Sequence, residues 1–203
     1  GVAAVDGAVV RTEGVSFVDN RADSTAAVGG GGLLLERGST AHVRGGSHAG
    51  NSAAGKGGWL RADDSTVVMR DVRSRLNTAV FGGALSLERA NATMVGCSFH
   101  AESAHSEGGC VLAEASMLDA TDCEFVGCVS GESGGGFALL QDSWAGLRGQ
   151  SVFAEGRARR GGGLFVSNSE LELLGGTLHV HSNTAASDTA EGGFGGGTYS
   201  ASP

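Results

Sequence analysis

The chain has 203 residues, of which 37 are Gly and one is Pro, and a formal net charge of −8. The charge disfavours a nucleic-acid or anionic-membrane partner, and glycine without a triplet repeat or abundant proline excludes collagen. Apolar residues at 40% are too many for a disordered chain, so the composition points to many short strands joined by tight turns.

In chain order the predicted elements are coils of one repeat. The second glycine of each Gly-Gly step falls at Gly32, Gly58, Gly83, Gly109, Gly136 and Gly162, 25 to 27 residues apart. Gly1 enters the same frame, because Phe17 follows it as Phe99 follows Gly83 and Phe125 follows Gly109. Seven coils then fill residues 1–191, the last lengthened around 184–191, and the Gly-rich 192–203 reads as a further coil starting or a hinge. No apolar run is long enough to cross a bilayer. A chain that opens on Gly1 reads as an internal fragment of a longer protein.

Within each coil apolar and polar residues alternate with the period of a strand. Just after the glycines come Ala3, Leu34, Leu60, Leu85, Val111, Ala138 and Leu164. The next strand supplies Val10, Ala41, Val67, Ala92, Leu118, Ala145 and Leu171, then, two residues on, Thr12, Val43, Met69, Met94, Ala120, Leu147 and Leu173. A third gives Val15, Gly46, Val72, Cys97 and Cys123, followed by Phe17, His48, Ser74, Phe99, Phe125, Val152 and Leu178. Each series reads as an inward-facing column with one member per coil. No coil holds ten residues of helical periodicity. The prediction is an all-β, single-stranded parallel β-helix of about seven coils, right-handed because parallel crossovers are and about 35 Å long at strand spacing.

The repeated glycines mark a corner that needs positive φ or close approach to the next coil. Asn20, Asn51 and Asn77 each follow the Phe17, His48 and Ser74 column by three, so they form a candidate amide ladder along the axis. Glu102, Cys128 and Glu155 take that place in later coils.

Two short motifs, Gly82-Gly83-Ala84-Leu85 and Phe17-Val18-Asp19-Asn20, resemble the Gly-Gly-Ala-Ile and Phe-x-x-Asn steps of the chlamydial polymorphic outer-membrane protein repeats. The aligned coils extend the likeness over nearly the whole chain. Repeats of this kind also resemble those of large surface proteins of algae and other protists. The resemblance implies an extracellular β-helix, often a passenger or stalk with adhesive roles.

Catalytic β-helices converge two or more acids from adjacent coils on one outer face. Asp122 and Glu124 share a face, but the neighbouring coil offers only Gly96 and Ser98 there, so no catalytic residue is assigned. A turn series of Asp6, Asp63, Glu88 and Glu114, with Glu36 one place earlier, presents stacked carboxylates. Calcium is one reading of that series. The favoured one is a solvated turn relieved by Arg37, Arg61 and Arg89. Cys97 and Cys123 occupy one column in adjacent coils, as a candidate disulfide or as two small buried thiols. No metal site is assigned, because no CxxC pair occurs and His179 with His181 reads as a surface strand. The basic run Arg157-Ala158-Arg159-Arg160 reads as a solvated corner. Asn91-Ala92-Thr93 is an N-glycosylation sequon, placed in a turn before a strand.

These features lead to an expected function without chemistry. The chain reads as a structural and adhesive solenoid segment of an extracellular surface, appendage or matrix protein. Its expected partners are further coils or domains of the same protein at both ends, other surface or matrix proteins, and glycans. Nucleic acid and membrane insertion are not expected, and no cofactor is. A carbohydrate-active β-helix, either lyase, hydrolase or glycan-binding module, is the alternative. Ice binding finds no support, since Thr12, Thr40, Thr66, Thr93 and Thr121 hold no single column.

Overall fold

The computed structural model describes residues 1–23, 29–186 and 195–201. Among them there is no helix. The third coil shows the plan, with strands Leu60–Asp63, Thr66–Arg70, Arg73–Arg75 and Thr78–Ala79. Each strand pairs in parallel with its counterparts in the coils before and after, as Thr66 does with Thr40 and Asn91. Repetition of that pairing over about seven coils builds three parallel sheets of eight, twelve and seven strands. The chain is a parallel β-solenoid.

Alternation drives the strands. In Thr66–Arg70, Val67 and Met69 are fully buried while Arg70 is exposed. The same inside-out order holds through Val10, Ala41, Val67, Ala92, Leu118, Ala145 and Leu171, which pair in register. A corner then separates the second and third strands. Gly14, Gly45, Asp71, Gly96, Asp122 and Gly149 occupy it in successive coils, all with φ between 53° and 64°. Only glycine and short polar residues adopt that left-handed conformation at little cost, which explains the choice of Gly and Asp.

The glycine columns differ from the predicted ones in two ways. Positive φ belongs to the first glycine of each step, Gly57, Gly82, Gly108, Gly134 and Gly161. The second is needed for close approach: a Cβ on Gly83 would lie 2.1 Å from the Gly109 carbonyl oxygen. Gly32 and Gly136 are also one residue out of place. Leu33 pairs with Leu60 and Phe137 with Val111, so Gly31 and Gly135 stack with Gly58, Gly83, Gly109 and Gly162. Both sites lie in runs of three or more glycines, where no side chain marks the inward position. The first interior column is therefore Leu33, Leu60, Leu85, Val111, Phe137 and Leu164. Ala138 instead packs with Leu112 and Phe165 in a smaller cluster.

The aromatic column is corrected as well. Phe125 pairs with Phe153, and Phe153 with Val180, in place of Val152 and Leu178. Strand Trp144–Ala154 carries one more residue between its columns than the coil before it, and the pairing register shifts between Leu147 and Gly149. Phe125 stacks between Phe99 and Phe153, with ring centroids at 5.2 and 4.7 Å, and Phe137 meets it edge-on. Such pairs add to their area burial.

The expected boundary at residues 191 and 192, and the lengthening around 184–191, fall largely outside the described residues. Beyond them Thr198–Ala201 pairs in parallel with Leu164–Ser167.

Candidate functional site

Asn20, Asn51 and Asn77 form a hydrogen-bonded ladder through the interior. The Asn20 N–H donates to Asn51 Oδ1 at 3.0 Å and the Asn51 N–H to Asn77 Oδ1 at 2.8 Å. In return Asn51 Nδ2 donates to the Phe17 carbonyl and Asn77 Nδ2 to the His48 carbonyl. Asn51 and Asn77 thus each satisfy one donor and one acceptor of the coil before, at a corner with no backbone partner for them. The ladder continues into Glu102, whose Oε2 accepts from the Asn77 N–H at 2.6 Å. Ser74 Oγ donates to Glu102 Oε1 at 2.6 Å. Burial pushes the Glu102 carboxyl up to about 8, partly offset by these hydrogen bonds from Ser74 and Asn77. Further along, the position passes to Cys128, Gly156 and Asn183. Gly156, not Glu155, holds it, with its N–H on Asn183 Oδ1 at 2.8 Å.

Above the ladder His48 is fully buried and stacks on Trp59 at 3.9 Å with an interplanar angle of 6°. Its Nδ1 accepts from the Phe17 N–H. Burial lowers its pKa to about 4, so the ring is neutral at ordinary pH. Trp59 lies wholly inside the solenoid.

Of the two readings open for Cys97 and Cys123, a disulfide or two small buried thiols, the structure has the second. Both are free, buried thiols, and the disulfide joins Cys110 to Cys128. In-register residues of adjacent parallel strands stand side by side at the rung spacing of about 4.8 Å, whereas bridged Cβ atoms must converge to about 3.8 Å. Cys110 and Cys128 face each other across one coil, with Cα atoms 5.5 Å apart. The Cys97 and Cys123 thiols donate to the Val95 and Thr121 carbonyls, and the neighbouring Cys97 thiol, with burial, pushes Cys123 up.

The acidic series is part of an ion-pair network. Glu36, Asp63, Glu88 and Glu114 share the column, while Asp6 lies one place later and pairs with Arg37 at 2.6 Å. Lys56 bridges Glu88 and Glu114. Arg61 meets Asp63 at 3.1 Å and Glu88 at 3.4 Å, and Arg89 meets Asp63 and Glu88. Close cations hold the Glu88 carboxyl low despite the opposing effect of its burial. Glu107 nearby is pushed up by burial and by Glu114. Lys56 was not singled out in the sequence because its column, shared with Phe81 one coil on, has no consistent residue type. Among the described residues no group of three or more His, Cys, Asp or Glu is arranged to hold a metal ion.

Asp122 and Glu124 do not converge. Asp122 sits at the left-handed corner with Oδ1 accepting from the Gln150 N–H at 2.8 Å, and Glu124 lies 3.9 Å from His100 Nε2. In the basic run, Arg159 pairs with Glu132 and Arg160 lies over the Phe165 ring. Asn91 is the first residue of strand Asn91–Val95 rather than a turn residue; it is exposed, and its N–H is held by the Ser65 carbonyl.

Sequence reasoning missed one grouping. Arg11, Arg44, Arg70, Arg73 and Arg75 are all exposed on outward positions of the twelve-stranded sheet in the first three coils. Arg44 and Arg70 are direct register partners. Their 26-residue spacing is the repeat itself, so the frame that located the core columns also carried this signal.

No protein family, no curated protein and no solved structure matches the chain at a significant level.

Proposed function

We propose that the chain is a non-catalytic solenoid segment whose work is length, stiffness and presentation of outer faces for adhesion, in an extracellular surface, appendage or matrix protein. The observation that carries this reading is the bonding of every coil to both neighbours. Three in-register parallel sheets and the Asn20–Asn51–Asn77–Glu102 ladder leave few ways to bend the stack. The Cys110–Cys128 disulfide supports an oxidising compartment. An exposed Asn91 would direct a glycan away from the sheet. At the first coil, Val2, Val5, Val9, Val15 and Val18 are exposed beside unpaired strand edges. Further coils of the same protein are the proposed cover for them.

The test is incubation with a panel of polysaccharides and glycans, followed by size analysis of each one bound. The expected result is a stiff particle in small-angle scattering that binds without shortening any chain. A polysaccharide cut into smaller products would overturn the non-catalytic reading.

A further inference from the structure

The arginines differ in their surroundings, and Arg157 and Arg160, remote from the first three coils in the chain, also form no ion pair among the described residues. Arg21, Arg37, Arg61, Arg89, Arg148 and Arg159 each meet a carboxylate. On the outer face of coils one to three, Arg44 approaches Glu13 only at 3.9 Å, and Arg11, Arg70, Arg73 and Arg75 form no ion pair among the described residues. A chain of net charge −8 has carboxylates enough to neutralise them, yet these four stay free together.

Their geometry is regular. Arg44 and Arg70 stand on one rung step, about 4.8 Å apart along the axis. Arg73 and Arg75 are two residues apart on one strand and point to the same side. Asp71 intervenes in sequence, but its carboxylate is turned toward the next coil: a Cβ on Gly96 would lie 3.0 Å from Asp71 Oδ1. Two shallow concavities flank this corner. One, of about 300 Å³, is lined by Arg11, His42, Arg44 and Arg70 with a single carboxylate, Glu13. The other, of about 440 Å³, has Arg73 and Arg75 beside Ser47, Ser98 and His100.

We propose that this face binds an extended anionic polysaccharide, sulfated or uronic, through Arg44, Arg70, Arg73 and Arg75. A guanidinium presents two parallel N–H donors that match a carboxylate or sulfate. Ser47 and Ser98 flank Arg73 in register with neutral hydroxyls, which suits the hydroxyls of sugar rings. Single-stranded nucleic acid would call for aromatic side chains to stack bases, and neither concavity has a Trp, Tyr or Phe in its lining. The proposal names a ligand class for the adhesive part of the function proposed above and rests on it.

Titration with heparin, polygalacturonate, neutral dextran and a single-stranded oligothymidylate tests it, at about 50 mM and about 300 mM salt. Heparin or polygalacturonate should bind, dextran should not, and the higher salt should weaken binding by about tenfold or more. The triple variant R70S/R73S/R75S should lose about tenfold or more, and R21S/R157S, which removes two arginines from another sheet, less than about twofold. All three triple-variant positions are exposed, and an unchanged melting temperature checks that the variant is folded. The proposal is overturned if neither polysaccharide binds at the lower salt, if both variants lose equally, or if the oligothymidylate binds more tightly. Failure in any of these ways leaves the rod reading standing, whereas shortening of a bound chain overturns the rod and leaves the arginine site.

Discussion

Asn77 donates its backbone N–H to Glu102 Oε2 at 2.6 Å inside the solenoid, one coil away and with no cation beside the carboxyl. The run of three asparagines thus passes into a buried acid. Burial raises its pKa to about 8, above the value near 4.3 of an unfolded chain.

The sign follows from linkage. Between pH ~4.3 and ~8 the native state holds the Glu102 proton and the unfolded state has lost it. Stability therefore falls as pH rises through that window, by up to ~1.4 kcal/mol per pH unit, and is fully retained below it. Glu102→Gln keeps acceptor and shape without the ionisation. Its melting temperature relative to the wild type should rise steadily from pH 5 to pH 8. A constant difference across that range would show that Glu102 is ionised in the folded protein.

Gly83 and Gly14 separate two uses of glycine. A Cβ on Gly83 meets the Gly109 carbonyl oxygen at 2.1 Å, a backbone atom held by the next coil. Gly83→Ala should cost more than ~4 kcal/mol or abolish soluble folding. Gly14 has φ of 64° and open space at its Cβ, so Gly14→Ala should cost only ~1 kcal/mol. Chemical denaturation of both variants compares them, and similar losses would contradict the stacked-corner account.

The cysteine assignment makes a counting prediction. With no reductant, the native protein should react with no equivalent of a thiol reagent and the denatured protein with two, from buried Cys97 and Cys123. Replacing Cys110 and Cys128 by alanine closes no loop in the unfolded chain and should lower stability by about 3 kcal/mol. Four reactive thiols on denaturation would remove the disulfide. Alkylation of the denatured protein at Cys110 and Cys128 instead of Cys97 and Cys123 would restore the Cys97–Cys123 bridge.

By itself the sequence determined the class of fold, the period of the coil and the columns Val10 to Leu171 and Thr12 to Leu173, because side-chain polarity marks inside from outside at every second residue. It also placed Asn20, Asn51 and Asn77 in one line, since a fixed offset from the aromatic column survives three repeats. Tertiary structure decided what polarity cannot mark. In the runs around Gly31 and Gly135 no side chain distinguishes one glycine from the next, so only the pairing of Leu33 with Leu60 and Phe137 with Val111 sets the register. The added residue in Trp144–Ala154 moved Phe153 into the core through pairing with Phe125. Cys110 found Cys128 because a disulfide needs Cβ atoms that converge across a coil, a relation between sheets that no linear spacing records.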